Sequence, residues 1–182
     1  GKTTIIKLIM GLLNPTRGEV EVLGAKRRIG IAEKSRIGFL TEENYLYGFL
    51  DVRETIELAA RLCSHPKAAL ERVPEMLEWV GMQGFEKRKI SECSKGMARR
   101  AALAQSLVHD PEFVILDEPM SGFDPVGIHD VREIILRLKR QGKTVLVCSH
   151  LLAEVEEVID DVIIMFKGKV VASGDIKNLL KG

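Results

Sequence analysis

Cysteines, net charge and long apolar runs are all scarce in this chain, and each scarcity excludes a class of protein. Three cysteines in 182 residues are an odd count without metal-motif spacing, so we expect reduced thiols. A net charge of +1 argues against a broad nucleic-acid surface, and the short basic run KRR at residues 26–28 fits a solvated turn. No apolar run reaches the roughly 18 residues of a membrane span, and no signal peptide is visible. Any link to a membrane would therefore go through a partner.

Short apolar strands alternate with amphipathic helices along the chain. The continuous apolar run FVIL, at residues 113–116, and the segment TVLVCS predict strands that are buried on both faces. The segments EVEVLG, RIGFL, DVIIMF and KVVASG predict further strands, and helical spacing marks most of the chain between them. This order predicts an α/β fold with a mostly parallel sheet. Residues 51–109 contain helices without a strand and predict a helical insertion, which begins at a capping-box pattern at Asp51 and Glu54.

The first residues, GKTT, precede an amphipathic helix predicted for residues 2–13. They match the end of the phosphate-binding loop G-x-x-x-x-G-K-[ST], in which backbone N–H groups and a helix N-terminus surround phosphates. Lys2 would reach the outer phosphates, and the Thr3 hydroxyl would hold Mg²⁺. The same few residues also occur at ordinary helix starts, so this pattern needs support from elsewhere in the chain.

Polar side chains follow two of the predicted buried strands. Asp117 and Glu118 come directly after the run at residues 113–116. Ligands of parallel α/β sheets bind at this carboxyl edge, where Asp117 can support Mg²⁺ and Glu118 can take a proton from an attacking water. His150 follows the strand TVLVCS, where it could sense a γ-phosphate. The other histidines have no comparable context and are interpreted as structural: His65, His109 and His129.

The segment CSKGM, at residues 93–97, begins another predicted helix and identifies a family. A serine and a glycine at a helix start present N–H groups to an anion. Here the chain resembles the nucleotide-binding domain of ABC transporters, because the signature L-S-G-G-Q keeps Ser94 and Gly96 while Cys93, Lys95 and Met97 differ. The form S-K-G-M resembles the exporter-type subgroup often called ABC-2.

The resemblance extends over essentially the whole chain. GKTT matches the end of the Walker A motif, and VILDEP matches Walker B. IGFLTEE matches the Q-loop with Glu42 where glutamine is usual, and MSGFDP matches the D-loop with Met120 and Phe123 in place of threonine and leucine. The resemblance implies a P-loop NTPase core of the RecA-like type at residues 1–42 and 110–182, with a helical subdomain at residues 43–109.

By this resemblance, the chain is an ATP-binding and ATP-hydrolysing subunit of an ABC transporter. It would power export through a separate membrane-spanning permease subunit on the inner face of the cell membrane, pair head to tail with a second ATP-binding domain, and have no nucleic-acid partner. Glu118 and His150 would be catalytic, and Thr3, Glu42 and Asp117 would hold Mg²⁺. The nucleotide-binding residues implied are Gly1, Lys2, Thr3, Thr4, Glu42, Ser94, Lys95, Gly96, Met97, Ser121 and Asp124.

The resemblance also implies an N-terminal truncation within Walker A, so we expect this chain by itself to bind ATP poorly. One alternative is a soluble ABC-family ATPase that acts on the ribosome or DNA. Such proteins usually carry two such domains or a long coiled-coil insertion, whereas a compact helical tract separates Glu42 from Ser94 here. A small-molecule kinase is disfavoured by the segments CSKGM, DEP and SH together. A regulatory module that only binds nucleotide is disfavoured by Glu118 and His150.

Overall fold

The computed structural model describes residues 1–26 and 29–179. Residue contacts divide the chain into two units, one of Ser35–Cys148 and one of Gly1–Lys34 with Ser149–Gly182. The strands are β1 (Ile37–Leu40), β2 (Phe113–Asp117), β3 (Thr144–Cys148), β4 (Asp161–Phe166) and β5 (Lys169–Asp175). The α-helices are α1 (Lys2–Ile9), α2 (Ile31–Lys34), α3 (Val52–Leu62), α4 (Pro66–Glu71), α5 (Val73–Trp79), α6 (Lys95–Leu107), α7 (Pro125–Arg140), α8 (Leu152–Val155) and α9 (Ile176–Leu179).

The unit of residues 35–148 is built on a parallel sheet in the order β1-β2-β3. Strand β2 lies in the centre, with Phe113 beside Ile37 on one side and beside Thr144 on the other. Val114 and Ile115 are fully buried, as a central parallel strand covered on both faces requires. The prediction of a parallel α/β sheet is therefore confirmed, and Asp117 lies at its carboxyl edge.

The helical tract of the same unit begins with the predicted capping box. Asp51 Oδ1 accepts a hydrogen bond from Glu54 N at 2.7 Å, and Glu54 Oε2 accepts one from Asp51 N at 2.9 Å. Two short helices, α4 and α5, follow Pro66. Pro74 explains the division, because proline has no N–H to donate and is tolerated only in the first turn of a helix.

Helix α6 approaches β1 closely at a glycine. A β-carbon at Gly38 would meet the Ser106 carbonyl oxygen and would lie 2.8 Å from Pro111 Cγ. Only glycine fits this position. The contact holds α6, which starts after Ser94, against the sheet that ends in Asp117.

In the other unit, two predictions from the sequence are wrong. Helix α1 ends at Ile9, four residues before the predicted end, because Gly11 takes a φ of 63° and turns the chain away. The segment EVEVLG forms no strand in the described part of the unit, only an isolated bridge between Val22 and Ala25 around a turn at Leu23 and Gly24 with positive φ.

Strands β4 and β5 form the predicted hairpin of this unit. They pair antiparallel, and Phe166 lies opposite Lys169. The two turn residues, Lys167 and Gly168, have φ of 47° and 79°, the conformation of the tight turns that fit twisted hairpins.

Some predictions lie outside these observations. Two residues of the basic run, Arg27 and Arg28, and the residues at positions 180–182 are not among the described residues. The division into a core and a helical subdomain at residues 43–109 stays a prediction. Among residues 1–26 and 29–179, no helix is both long and apolar enough to cross a membrane.

Candidate functional site

The acidic pair, Asp117 and Glu118, ends the central strand in an unusual conformation. Both residues are buried, with 6% and 8% of their surface exposed. Glu118 has a φ of 49°, in the left-handed region that residues other than glycine rarely adopt. Its backbone N–H donates to the Cys148 carbonyl oxygen at 2.8 Å, which ties the acidic pair to β3. Such strain costs of order 1–3 kcal/mol and is typical of functional sites.

A second predicted region, the Glu42 loop (residues 41–44), is held by a buried arginine of α6. Nη1 of Arg99 donates to the Thr41 carbonyl oxygen, to the Glu42 carbonyl oxygen at 3.0 Å and to Asn44 Oδ1 at 2.9 Å. The hydrogen bond at Glu42 uses the backbone carbonyl oxygen, so it does not occupy the carboxylate.

The same arginine also holds the acidic pair. Nη2 of Arg99 donates to the carbonyl oxygens of Asp117, at 2.7 Å, and Glu118, at 2.9 Å. Arg99 is 2% exposed, and this burial lowers its pKa, while the nearby carboxylates of Asp117, Glu42 and Glu118 act in the opposite direction. An arginine pKa starts so high that the side chain stays charged. One guanidinium therefore brings together the Glu42 loop and the acidic pair.

The signature segment lies at the start of α6. Ser94 is the N-cap, and its Oγ accepts a hydrogen bond from Met97 N at 3.2 Å. Ser94 and Lys95 are exposed, and the first turn of α6 contains no acidic residue. The positive end of a 13-residue helix is therefore open to an anion, with Lys95 beside it.

The D-loop (residues 120–125) packs against this helix start. A β-carbon at Gly122 would lie 3.0 Å from Lys95 Cε, so the lysine stem lies along the loop. The Phe123 ring lies beside Gly96, where a β-carbon would be 3.7 Å from Cδ1. Ser121 is exposed in the same loop. The structure thus brings the predicted signature and D-loop residues together.

The D-loop then leads into α7 through a second cap. Asp124 is the N-cap of α7, and its Oδ1 accepts a hydrogen bond from Gly127 N at 2.8 Å. A β-carbon at Gly127 would lie 2.6 Å from Phe123 Cδ1. Glycine at this position therefore lets Phe123 fold back onto α7. Asp124 has a structural function here that the sequence prediction did not include.

The remaining predicted residues belong to the other unit. Gly1 is the N-cap of α1, and Lys2, Thr3 and Thr4 form its first turn, which contains no acidic residue. Both threonines are exposed. His150 is exposed between β3 and α8. The first turn of α1 has the composition of an anion-binding helix start.

Sequence reasoning missed Arg99, although the sequence contains a signal for it. Positions 99, 102, 103, 106 and 107 have the spacing of one helix face, and all five residues are buried. The other four are apolar or small, so an arginine in this row marks a charge that must find partners inside the protein. Its partners are mainly backbone carbonyls, and no sequence pattern marks those.

The acidic pair fits a magnesium ion that arrives with phosphates. The described residues contain no cluster of three histidine, cysteine or acidic side chains able to enclose a metal ion. Magnesium is usually held by one or two carboxylates together with waters and substrate phosphates. Asp117 offers a carboxylate of the required type.

The fold and the site define a class of protein. A parallel α/β sheet, an acidic pair at the carboxyl end of its central strand and a helix that starts with Gly-Lys-Thr together define the P-loop NTPase fold.

Within this class, the chain belongs to the ABC transporter family, whose sequence profile matches residues 1–121. It is 44% identical to an uncharacterized ABC transporter ATP-binding protein of Nostoc sp. over 99% of this chain and 54% of that protein. It is 37% identical to the bacitracin transport ATP-binding protein BcrA of Bacillus licheniformis, over 100% of this chain and 59% of that protein. The solved ATP-binding subunit of an ABC transporter matches with a TM-score of 0.87 and 29% identity, over 100% of this chain and 76% of that one. The chain thus spans about half the length of the curated relatives it matches.

Proposed function

We propose that the chain binds and hydrolyses ATP as part of an ABC transporter, and that Glu118 is the general base. The observation that carries the proposal is the acidic pair itself. Glu118 is buried, follows the central strand directly and is held in a left-handed conformation by hydrogen bonds to its backbone. Backbone strain of this kind clusters at active sites, where it positions a reacting group. The sequence relationship to ABC transporter ATP-binding proteins supports the same reaction.

The proposed reaction gives a role to each of the phosphate-binding and catalytic residues that the sequence implies. Lys2 and the N-terminus of α1 bind the β- and γ-phosphates, and the neighbouring Gly1 and Thr4 line the same helix start. Glu118 accepts a proton from water as the water oxygen attacks the γ-phosphorus, the bond to the bridging oxygen breaks, and ADP and phosphate form. His150 lies near the γ-phosphate in this proposal.

Magnesium, held by Thr3, Glu42 and Asp117, would neutralise the charge of the phosphate oxygens. Carboxylate and hydroxyl oxygens are suitable ligands for it. Asp117 is buried at the strand end, which favours a carboxylate with a cationic partner.

A second copy of the domain completes the site in this proposal. The start of α6 presents Ser94, Lys95, Gly96 and Met97 as an anion site that is distant in the sequence from Lys2, and its first residues are exposed. An exposed helix N-terminus can bind the γ-phosphate of nucleotide held by another copy. Ser121 and Asp124, in the adjoining D-loop, would lie at the same interface.

The membrane-spanning partner is proposed to dock on the aromatic surface formed by Tyr45, Tyr47 and Phe49. These side chains are 78%, 58% and 69% exposed, and the rings of Tyr47 and Phe49 lie 5.6 Å apart. Exposed aromatic clusters mark interaction sites. The aromatic surface follows the Glu42 loop directly in the sequence, so its occupant would lie beside the loop that Arg99 connects to the acidic pair. The name of the bacitracin transport relative supports transport, and the S-K-G-M form supports export.

The proposal is tested by Glu118→Gln in the complete protein of this reading frame. We expect ATP binding to persist, because the amide keeps the size of the side chain, and phosphate release to stop, because the base is lost. Glu112→Gln is the matched control, since Glu112 precedes β2, is exposed and forms a surface ion pair with Arg36. Normal phosphate release in Glu118→Gln would show that Glu118 is not the general base. Loss of activity in Glu112→Gln as well would show that the region is merely sensitive to mutation.

A further inference from the structure

We propose that Arg99 is a positioning residue for ATP hydrolysis: it holds the Glu42 loop and the acidic pair in one fixed arrangement. The proposal rests on the function proposed above, because it requires Glu118 to act as the base. It assigns a role to a residue outside the family motifs identified in the sequence. Arg99 lies five positions after Ser94, on the same helix.

The hydrogen bonds of Arg99 all go to two segments that the sequence separates widely. Three acceptors belong to the Glu42 loop and two to the acidic pair. Four of the five are backbone carbonyl oxygens, so Arg99 fixes the path of the chain rather than the charge of a side chain. A planar guanidinium with donors in a fixed fork is suited to joining two such segments.

The contact at Glu118 has a specific consequence. The left-handed conformation of Glu118 turns the chain out of the β2 direction, and its carbonyl oxygen accepts a hydrogen bond from Arg99 Nη2 at 2.9 Å. The N–H of the same residue is held by the Cys148 carbonyl oxygen. Both polar backbone groups of the strained residue are therefore satisfied, one by β3 and one by Arg99. Without Arg99, the strained turn loses one of its two restraints.

The side chain is also costly to keep where it is. Arg99 is 2% exposed, and its Nε is buried without a hydrogen-bond partner among the described residues. A buried charge with an unsatisfied donor destabilises a protein relative to an apolar side chain of similar volume. The hydrogen bonds of its Nη1 and Nη2 go to the Glu42 loop and the acidic pair. Because these segments carry the proposed reaction, the contacts favour a role in the site over a role in stability.

The neighbouring arginine shows the contrast. Arg100 points to other partners, the Val80 carbonyl oxygen at 2.8 Å and Asp130 Oδ2 at 2.7 Å, and its guanidinium lies 5.5 Å from the Phe123 ring. These contacts join helices and the D-loop. Of the two consecutive arginines, Arg99 alone donates hydrogen bonds to the acidic pair within the described residues.

The test compares Arg99→Lys and Arg99→Met with the parent in the complete protein. Lysine keeps the charge but lacks the fork, and methionine removes both. We expect kcat for ATP hydrolysis to fall about 10-fold in Arg99→Lys and about 100-fold in Arg99→Met, because a base misplaced by about 1 Å costs rates of this order. KM for ATP should stay within about twofold, since the phosphate-binding groups are unchanged. Arg61→Gln, which removes an exposed ion pair with Glu57 on α3, should leave both constants unchanged.

Urea unfolding of each variant separates positioning from folding. The proposal is overturned if Arg99→Lys keeps the parent kcat, or if kcat falls only in proportion to the folded fraction. It is also overturned if KM rises while kcat is unchanged. If Arg99→Met does not fold, Arg99→Lys decides the question by the same criteria. Failure here is distinguishable from failure of the proposed function, because Glu118→Gln would then still abolish turnover.

Discussion

The backbone N–H of Glu118 donates to the carbonyl oxygen of Cys148 at 2.8 Å, just past the point where Asp117 and Cys148 end the ladder between β2 and β3. This hydrogen bond extends the pairing by one residue while Glu118 turns into the left-handed region, with a φ of 49°. The carboxylate of the proposed base is thereby attached to a rigid sheet and not to a mobile loop.

Ser94 has two separable functions, as the cap of α6 and as part of the proposed anion site. Ser94→Ala should cost about 1 kcal/mol of unfolding free energy, because Met97 N loses its acceptor. Ser94→Asp should keep the cap and the stability but repel the γ-phosphate, and it should reduce phosphate release at least 10-fold, as expected for a like charge at an anion site. Urea titration and a phosphate-release assay measure the two effects. Equal activity of Ser94→Asp and the parent would show that no anion binds here.

The Phe123 side chain occupies the space that a side chain at position 127 would need. Gly127→Ala places a methyl group 2.6 Å from Phe123 Cδ1 and should destabilise the protein by about 1–3 kcal/mol. Phe123→Ala removes Cγ and Cδ1 and should relieve the clash, so that the double variant is more stable than additivity predicts. A double-mutant cycle in urea measures this coupling. Strict additivity would mean that the two positions do not meet.

A side chain at position 38 should destabilise the protein, because Gly38 lies against α6 and Pro111. Gly38→Ala would push a methyl group against the Ser106 carbonyl oxygen and within 2.8 Å of Pro111 Cγ. We expect a loss of about 1–3 kcal/mol, since neither contact is with the end of a flexible side chain. Gly48→Ala is the control, because its β-carbon would lie 3.5 Å from Ser91 Cβ, an ordinary contact. Equal stability of the two alanine variants would contradict the close approach of α6 to β1.

His109 should make stability depend on pH. Burial lowers the pKa of His109, which outweighs its hydrogen bond to the Ile37 carbonyl oxygen. The unfolded state therefore binds a proton more readily than the folded state, and stability falls as pH drops below the ordinary histidine pKa towards the lowered one. His109→Gln should flatten the dependence of the unfolding free energy on pH over this range. A steeper loss of stability in His109→Gln would contradict the burial argument.

Much of the fold was predictable because its strands are marked by apolar runs and its helices by spacing and caps. The run at residues 113–116 predicted the central strand, and Asp51 with Glu54 predicted the start of α3. The incorrect predictions concern two short segments, the end of α1 and the segment EVEVLG, in which glycines with positive φ turn the chain. The alternating segment EVEVLG has strand composition, but glycine at position 24 and a left-handed Leu23 reverse the chain before a strand can form.

The candidate site was predictable where chemistry requires particular side chains, as at Lys2, Asp117 and Ser94. The site was not predictable where backbone groups make the contacts that orient these side chains. The left-handed turn at Glu118 and the carbonyl oxygens that surround Arg99 involve no characteristic residue type. A motif therefore shows which groups react, whereas the contacts that orient them become visible only after folding.

The most direct measurement is the identity of the nucleotide bound to the complete protein after it is mixed with ATP and Mg²⁺ and separated from free nucleotide. If Glu118 is the base that activates water, the parent protein converts its bound ATP to ADP and phosphate, and Glu118→Gln retains ATP. ADP that forms in Glu118→Gln at the parent rate would contradict the role assigned to the acidic pair.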